Sequence, residues 1–145
     1  MALERMEHLA IRTDNLKPTV DFYTKVVGLR EGPRPEFGFP GHWLYLGDTA
    51  VIHLIYFNHD ADGSKFDGIM GRRDKYADDG TGAVDHIAFR AKDIAGMKRK
   101  FQELRIPVKE NHIPDFNLSQ LFIEDPNGVT VELTFLGEQE GLASK

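Results

Sequence analysis

The sequence predicts an α+β fold built from two βαβββ modules, whose strands form a curved mixed sheet around a cavity able to hold a metal. Three observations predict it. A hexapeptide occurs twice, as Glu7-His8-Leu9-Ala10-Ile11-Arg12 and Asp85-His86-Ile87-Ala88-Phe89-Arg90, with its histidines 86 − 8 = 78 residues apart. Each copy is followed by a strand-like run with a polar residue inside it: His53 lies 53 − 8 = 45 residues on, and Glu132 lies 132 − 86 = 46 residues on. Between hexapeptide and run, each half carries one helical stripe and two further extended segments. Such repetition is the mark of one supersecondary unit used twice.

The elements follow in order. Residues 6–13 alternate and read as a strand, with Leu9 and Ile11 on one face and His8, Ala10 and Arg12 on the other. Asp14-Asn15 breaks it. Pro18 suits the first turn of a helix; Val20, Tyr23, Val26 and Val27 recur at helical spacing, and Gly28 stops it. Leu29 to Glu31 is extended, and a Gly/Pro-rich stretch runs to Pro40. Strands at 42–46 and 50–56 flank a turn at Gly47-Asp48.

The order then repeats. A strand spans 84–91, Asp93 caps a helix whose stripe is Ile94, Met97, Phe101 and Leu104, and strands follow at 107–111 and 118–123. Asp125-Pro126-Asn127-Gly128 is a strong turn signal before the last strand, 129–135. The modules are therefore 1–57 and 83–136. A polar linker, 58–82, joins them, with a short helix expected around Asp67–Arg72. The tail is 137–145.

Bulk properties bound the function. The 145 residues are 41% hydrophobic and 28% charged, ordinary for a globular protein. A net charge of −5 argues against a nucleic-acid groove or an anionic membrane surface as partner. With no cysteine, disulfides and thiolate metal sites are excluded. The charged start and the lack of a long apolar run predict a cytoplasmic protein that acts on a small molecule.

Strand periodicity decides which side chains meet. His8, His86 and Glu132 share the polar face of their strands, and His53 is the repeat counterpart of Glu132. If the modules close on each other, these four come to one point. Imidazoles plus one carboxylate make an N/O cage for a divalent first-row metal (Fe, Ni, Co, Zn or Mn). Two His and one Glu leave open positions for a substrate, with His53 as a fourth ligand or as an acid/base. A lone strand histidine is usually structural; four such residues at equivalent repeat positions are not a chance pattern. Arg12 and Arg90 recognise a substrate carboxylate or phosphate, or pair with acidic neighbours. His42, His59 and His112 lack repeat counterparts; they belong to the surface, or, for His112 at the end of its strand, to the edge of the pocket. Trp43, Phe37 and Phe39 either join the core, the commoner fate, or cover the cavity.

The segments His8-Leu-Ala-Ile-Arg12, Asp21-Phe-Tyr-Thr-Lys-Val-Val-Gly-Leu29, Ala50-Val-Ile-His-Leu-Ile55, Asp85-His-Ile-Ala-Phe89 and Glu124-Asp-Pro-Asn-Gly-Val-Thr-Val-Glu-Leu133 resemble the vicinal oxygen chelate superfamily. That superfamily includes glyoxalase I, extradiol dioxygenases, and fosfomycin- and bleomycin-resistance proteins. The resemblance implies a metal cavity formed by paired βαβββ modules, and a homodimer whose sites draw ligands from both subunits. By length, the small bacterial glyoxalase I type is nearest. That type has His, His and Glu at His8, His86 and Glu132, but Glu where this chain has His53. A lyase or isomerase moving a proton through Glu132 or His53 is thus implied. The alternative is a ring-cleaving Fe(II) dioxygenase, and after it a drug-binding protein of the bleomycin-resistance kind.

Overall fold

The computed structural model describes residues 4–56, 84 and 86–137. The expected linker, its short helix around Asp67–Arg72, His59 and the tail beyond 137 lie outside the described residues. The chain divides into two units, Met1–Asp78 and Asp79–Lys145.

The first unit runs β1 (Leu9–Thr13), α1 (Leu16–Asp21), a π-helical segment (Phe22–Val27), β2 (Arg30–Gly32), β3 (Gly41–Leu46) and β4 (Thr49–Tyr56). The second runs β5 (Ile87–Arg90), α2 (Ile94–Glu103), β6 (Lys109–Ile113), a 3-10 turn (Pro114–Phe116), β7 (Leu118–Glu124) and β8 (Thr130–Leu136). The two sheets have the same order, β1-β4-β3-β2 and β5-β8-β7-β6. In each, the first and last strands pair in parallel and the other pairs are antiparallel. This is the mixed βαβββ unit expected, twice over.

Alternation places the core on one face of each sheet. Ile11, Leu44, Ile52 and Leu54 are buried with Phe22, Tyr23, Val26 and Leu29 in the first unit. Leu121, Ile123, Val129, Val131, Leu133 and Phe135 are buried with Ile94 and Phe101 in the second. Burial of apolar area at about 25 cal/mol per Å² is the main stabilising contribution of both. Two buried threonines are satisfied locally: Thr19 Oγ donates to the Asn15 carbonyl at 2.8 Å, and Thr13 Oγ accepts from the Asn15 N–H at 2.9 Å.

Several details depart from the periodicity. The helix after β1 widens into a π turn, where the Tyr23 carbonyl accepts from both the Gly28 N–H (3.0 Å) and the Leu29 N–H (2.8 Å). Gly28 at φ +101° ends it, as a C-terminal glycine should. Leu104 is 45% exposed, so the buried stripe of α2 is Ile94 and Phe101, with Met97 only half-buried. Helix α2 ends one residue before Leu104, which therefore leaves the stripe. Asp93 caps α2 as expected, its Oδ1 accepting from the Gly96 N–H at 3.0 Å. The predicted turn before β8 is built on buried Asp125, whose Oδ1 accepts from the N–H groups of Asn127 (2.7 Å) and Val129 (2.9 Å). Among the described residues, no helix is long and apolar enough to cross a membrane.

Candidate metal centre

The repeat is repeated in register. Ala10 lies opposite His53 across the β1–β4 pair, and Ala88 lies opposite Glu132 across β5–β8. The alanine of each hexapeptide thus has a structural reason. A single methyl group opposite the polar residue leaves room for it and for the preceding histidine. On the other side of that residue, Trp43 faces His53 and Phe122 faces Glu132. This aromatic pair also obeys the repeat, since 122 − 43 = 79 and 132 − 53 = 79. The offset was available in the sequence for both.

In the second unit, His86 Nε2 lies 3.5 Å from Glu132 Oε1. Two donors bound to one ion at about 2.0–2.2 Å stand about 2.8–3.6 Å apart in octahedral or tetrahedral geometry. The pair fits a shared cation. Glu132 is 7% exposed, although it lies on the polar face. Its oxygens are steered by Thr134 Oγ, which donates to Oε2 at 2.6 Å, and by Gln120 Nε2, which donates to Oε1 at 3.2 Å. Supporting hydrogen bonds of this kind orient metal-ligating carboxylates. The Phe122 ring stands edge-on to His86, with centroids 6.3 Å apart and planes at 87°.

In the first unit, Glu7 Oε1 accepts from His8 Nδ1 at 3.0 Å, which leaves Nε2 as the free lone pair. His8 and His53 meet differently from their counterparts: the rings are stacked, with centroids 3.7 Å apart and planes at 9°. Trp43 stacks on the other face of His53 at 4.1 Å and 15°. Trp43, Phe37 and Phe39 are half-buried and stand outside the core, Phe37 lying between Trp43 and Phe39 with ring centroids 6.2 Å and 5.5 Å away. The His53 side is the wall of a cavity of about 200 Å³ shared with Arg5, Glu7 and Tyr45.

Among the described residues, no three His, Asp or Glu form one metal-holding cluster. The four candidates are gathered as two pairs, one in each unit. The His8 and His53 rings lie face to face, whereas His86 and Glu132 approach through their donor atoms. Arg12 is half-buried opposite Ile55, and Arg90 is exposed opposite Thr134. His42 and His112 have local partners, Glu31 (2.5 Å) and Ser119 (3.1 Å).

Burial, and secondarily the neighbouring His8, holds the His53 imidazole down to about 4, while a hydrogen bond with the Ala50 backbone and the charge of Glu7 oppose the shift. The unfolded chain takes up this proton near its ordinary value of 6.5. Between those values the unfolded state binds more protons, so stability present above pH 6.5 is lost as pH falls towards 4. In chelator-treated protein, the melting temperature of wild type should therefore fall relative to that of His53→Phe between pH 7 and 4.5. Parallel melting curves would contradict the assignment.

A profile of the glyoxalase/bleomycin resistance protein/dioxygenase superfamily matches residues 5–133. The lactoylglutathione lyase of Shigella flexneri is 29% identical over 137 residues, covering 89% of this chain and 90% of that protein. Glyoxylase I 4 of Arabidopsis thaliana is 25% identical over 134 residues, covering 90% and 70%. Among solved structures, the lactoylglutathione lyase of Agrobacterium tumefaciens superposes with a TM-score of 0.62 at 23% identity, covering 93% of this chain and 96% of that one. A genomically encoded fosfomycin resistance protein from Listeria monocytogenes gives 0.64 at 12% identity, covering 92% and 93%. At these identities the structures speak for the fold alone.

Proposed function

The chain belongs to the glyoxalase/bleomycin resistance protein/dioxygenase superfamily, and on that footing we propose that it is a divalent-metal lyase or isomerase of glyoxalase type. Its substrate is a small molecule with vicinal oxygens. The observation that carries the reading is the His86–Glu132 pair, two donors 3.5 Å apart with the carboxylate buried and steered by Thr134 and Gln120. The lyases among its relatives support the reaction class.

His8, His86 and Glu132 are the ligands in this proposal, and His53 lies face to face with His8 as the remaining member of the set. A bound divalent cation supplies positive charge against the negative charge that develops on the substrate oxygens. Glu132 carries the proton from the carbon beside the carbonyl; its two oxygens are already distinguished, one facing His86 and Gln120, the other Thr134. Thr134 and Gln120 hold it in place during the transfer. Arg12 and Arg90 recognise a negative group on the substrate. Two copies form a homodimer in the cytoplasm and share their sites, the His8 side of one copy facing the His86–Glu132 side of its partner.

The test is metal analysis of protein purified without chelators, followed by assay against α-hydroxy-carbonyl compounds and thiol adducts of 2-oxoaldehydes. Nickel, cobalt, zinc or manganese at one equivalent per chain, with turnover of a panel member, is the expected result. Loaded protein that turns over none of them would defeat the lyase reading. The set of two His and one carboxylate favours a second reading, ring cleavage at Fe(II). Oxygen uptake with catechols by anaerobically prepared Fe(II) protein would establish that one in its place.

A further inference from the structure

Resting on the metal reading above, we infer that His53 stands outside the coordination sphere and that His53 and Trp43 are positioning residues for the ligand His8. An imidazole nitrogen binds a cation with a lone pair that lies in the plane of the ring, at about 2.0–2.1 Å. The His8 and His53 planes are 9° apart with centroids separated by 3.7 Å, so they intersect only on the order of 20 Å away. No ion within bonding reach lies in both. His53 does not escape by turning, because Trp43 covers its other face at 4.1 Å. The cross-strand register that sets Trp43 opposite His53 fixes this clamp in the sheet itself.

The repeat makes the contrast plain. At the equivalent place in the second unit, Glu132 brings an oxygen to 3.5 Å from His86 Nε2, and the facing aromatic, Phe122, stands edge-on. One half uses the position for a donor; the other uses it for a flat surface. His8 is then held twice. Glu7 fixes its tautomer through Nδ1 at 3.0 Å, and the stack fixes the tilt of its ring, so that Nε2 is presented in one direction. His53 and Trp43 thus act on the cation through His8.

Co(II) tests the assignment, since its visible absorption spectrum reports the number and kind of ligands. His53→Phe, which keeps a flat ring and has no donor, should bind Co(II) within about threefold of wild-type affinity and leave the spectrum unchanged, while His8→Phe should lose on the order of a hundredfold. Trp43→Leu should weaken binding about tenfold with the spectrum unchanged, and Trp43→Phe should restore it. A changed spectrum in His53→Phe, or an affinity loss matching that of His8→Phe, would make His53 a ligand and overturn the inference. A measurement on the wild type needs no variant to fold: with ¹⁵N-labelled histidine, Zn(II) should displace the resonances of His8 and His86 but not those of His53. Displacement of all three would be equally fatal. Wild-type protein that takes up neither Co(II) nor Zn(II) would remove the metal reading itself, an outcome distinct from an altered His53→Phe spectrum.

Discussion

Glu132→Gln is expected to lower divalent-cation affinity by on the order of a hundredfold or more while leaving the fold in place. The substitution is isosteric. The amide oxygen still accepts from Thr134 Oγ, so the buried side chain keeps a partner and the β8 strand keeps its register. What disappears is the negative charge, and the cation then has only neutral donors. Calorimetric titration with Co(II) or Zn(II), beside a thermal melt, checks both halves of the statement. Wild-type affinity in the variant would show that the carboxylate is no ligand. Mixing carries the test to the assembly. If sites are shared between two copies, Glu132→Gln chains mixed with His8→Phe chains form heterodimers containing one intact site, and binding returns. If each chain holds its own site, mixing restores nothing.

Phe101→Ala is expected to cost about 3–5 kcal/mol, a large part of the roughly 5–15 kcal/mol that holds a domain together. Phe101 is fully buried, and with Ile94 it provides the buried side chains of α2. Truncation leaves a cavity beneath a helix of 10 residues whose remaining buried anchor is Ile94, at its first turn. Leu104→Ala is the internal control. The sequence stripe treats it as the equal of Phe101, yet its 45% exposure predicts a change within about 0.5 kcal/mol. Urea denaturation followed by far-UV circular dichroism measures both, with the Phe101→Ala midpoint falling by about 1 M or more. Equal losses in the two variants would show that the helix packs by its sequence pattern and not as described. Trp43 is the single tryptophan and lies in the first unit, so its fluorescence reports whether that unit unfolds in the same step.

Much of this was legible before any coordinates. The duplicated hexapeptide and the 78-residue offset gave the two βαβββ units, and their strands, helix stops and turns lie within a few residues of expectation. Alternation placed Ile52 and Leu54 in the core and His53 on the opposite face, because a strand leaves no other choice. The Trp43–Phe122 correspondence was legible too, but only to someone already counting the repeat. Gln120 was not, since its counterpart in the first module, at 120 − 79 = 41, is Gly41. Nothing in the pattern marks a glutamine as the partner of a carboxylate on the next strand.

By itself the sequence determined which residues leave each strand on the same side, since side-chain direction follows from a period of two. Only the tertiary structure decided how they meet there. The pattern treats His53 and Glu132 as equals, and the fold lays one flat between two rings while bringing the other's oxygen up to an imidazole nitrogen. The reason is physical: ring planes and carboxylate orientations are rotamer choices, set by whatever side chains pack against them from neighbouring strands and not by spacing along their own.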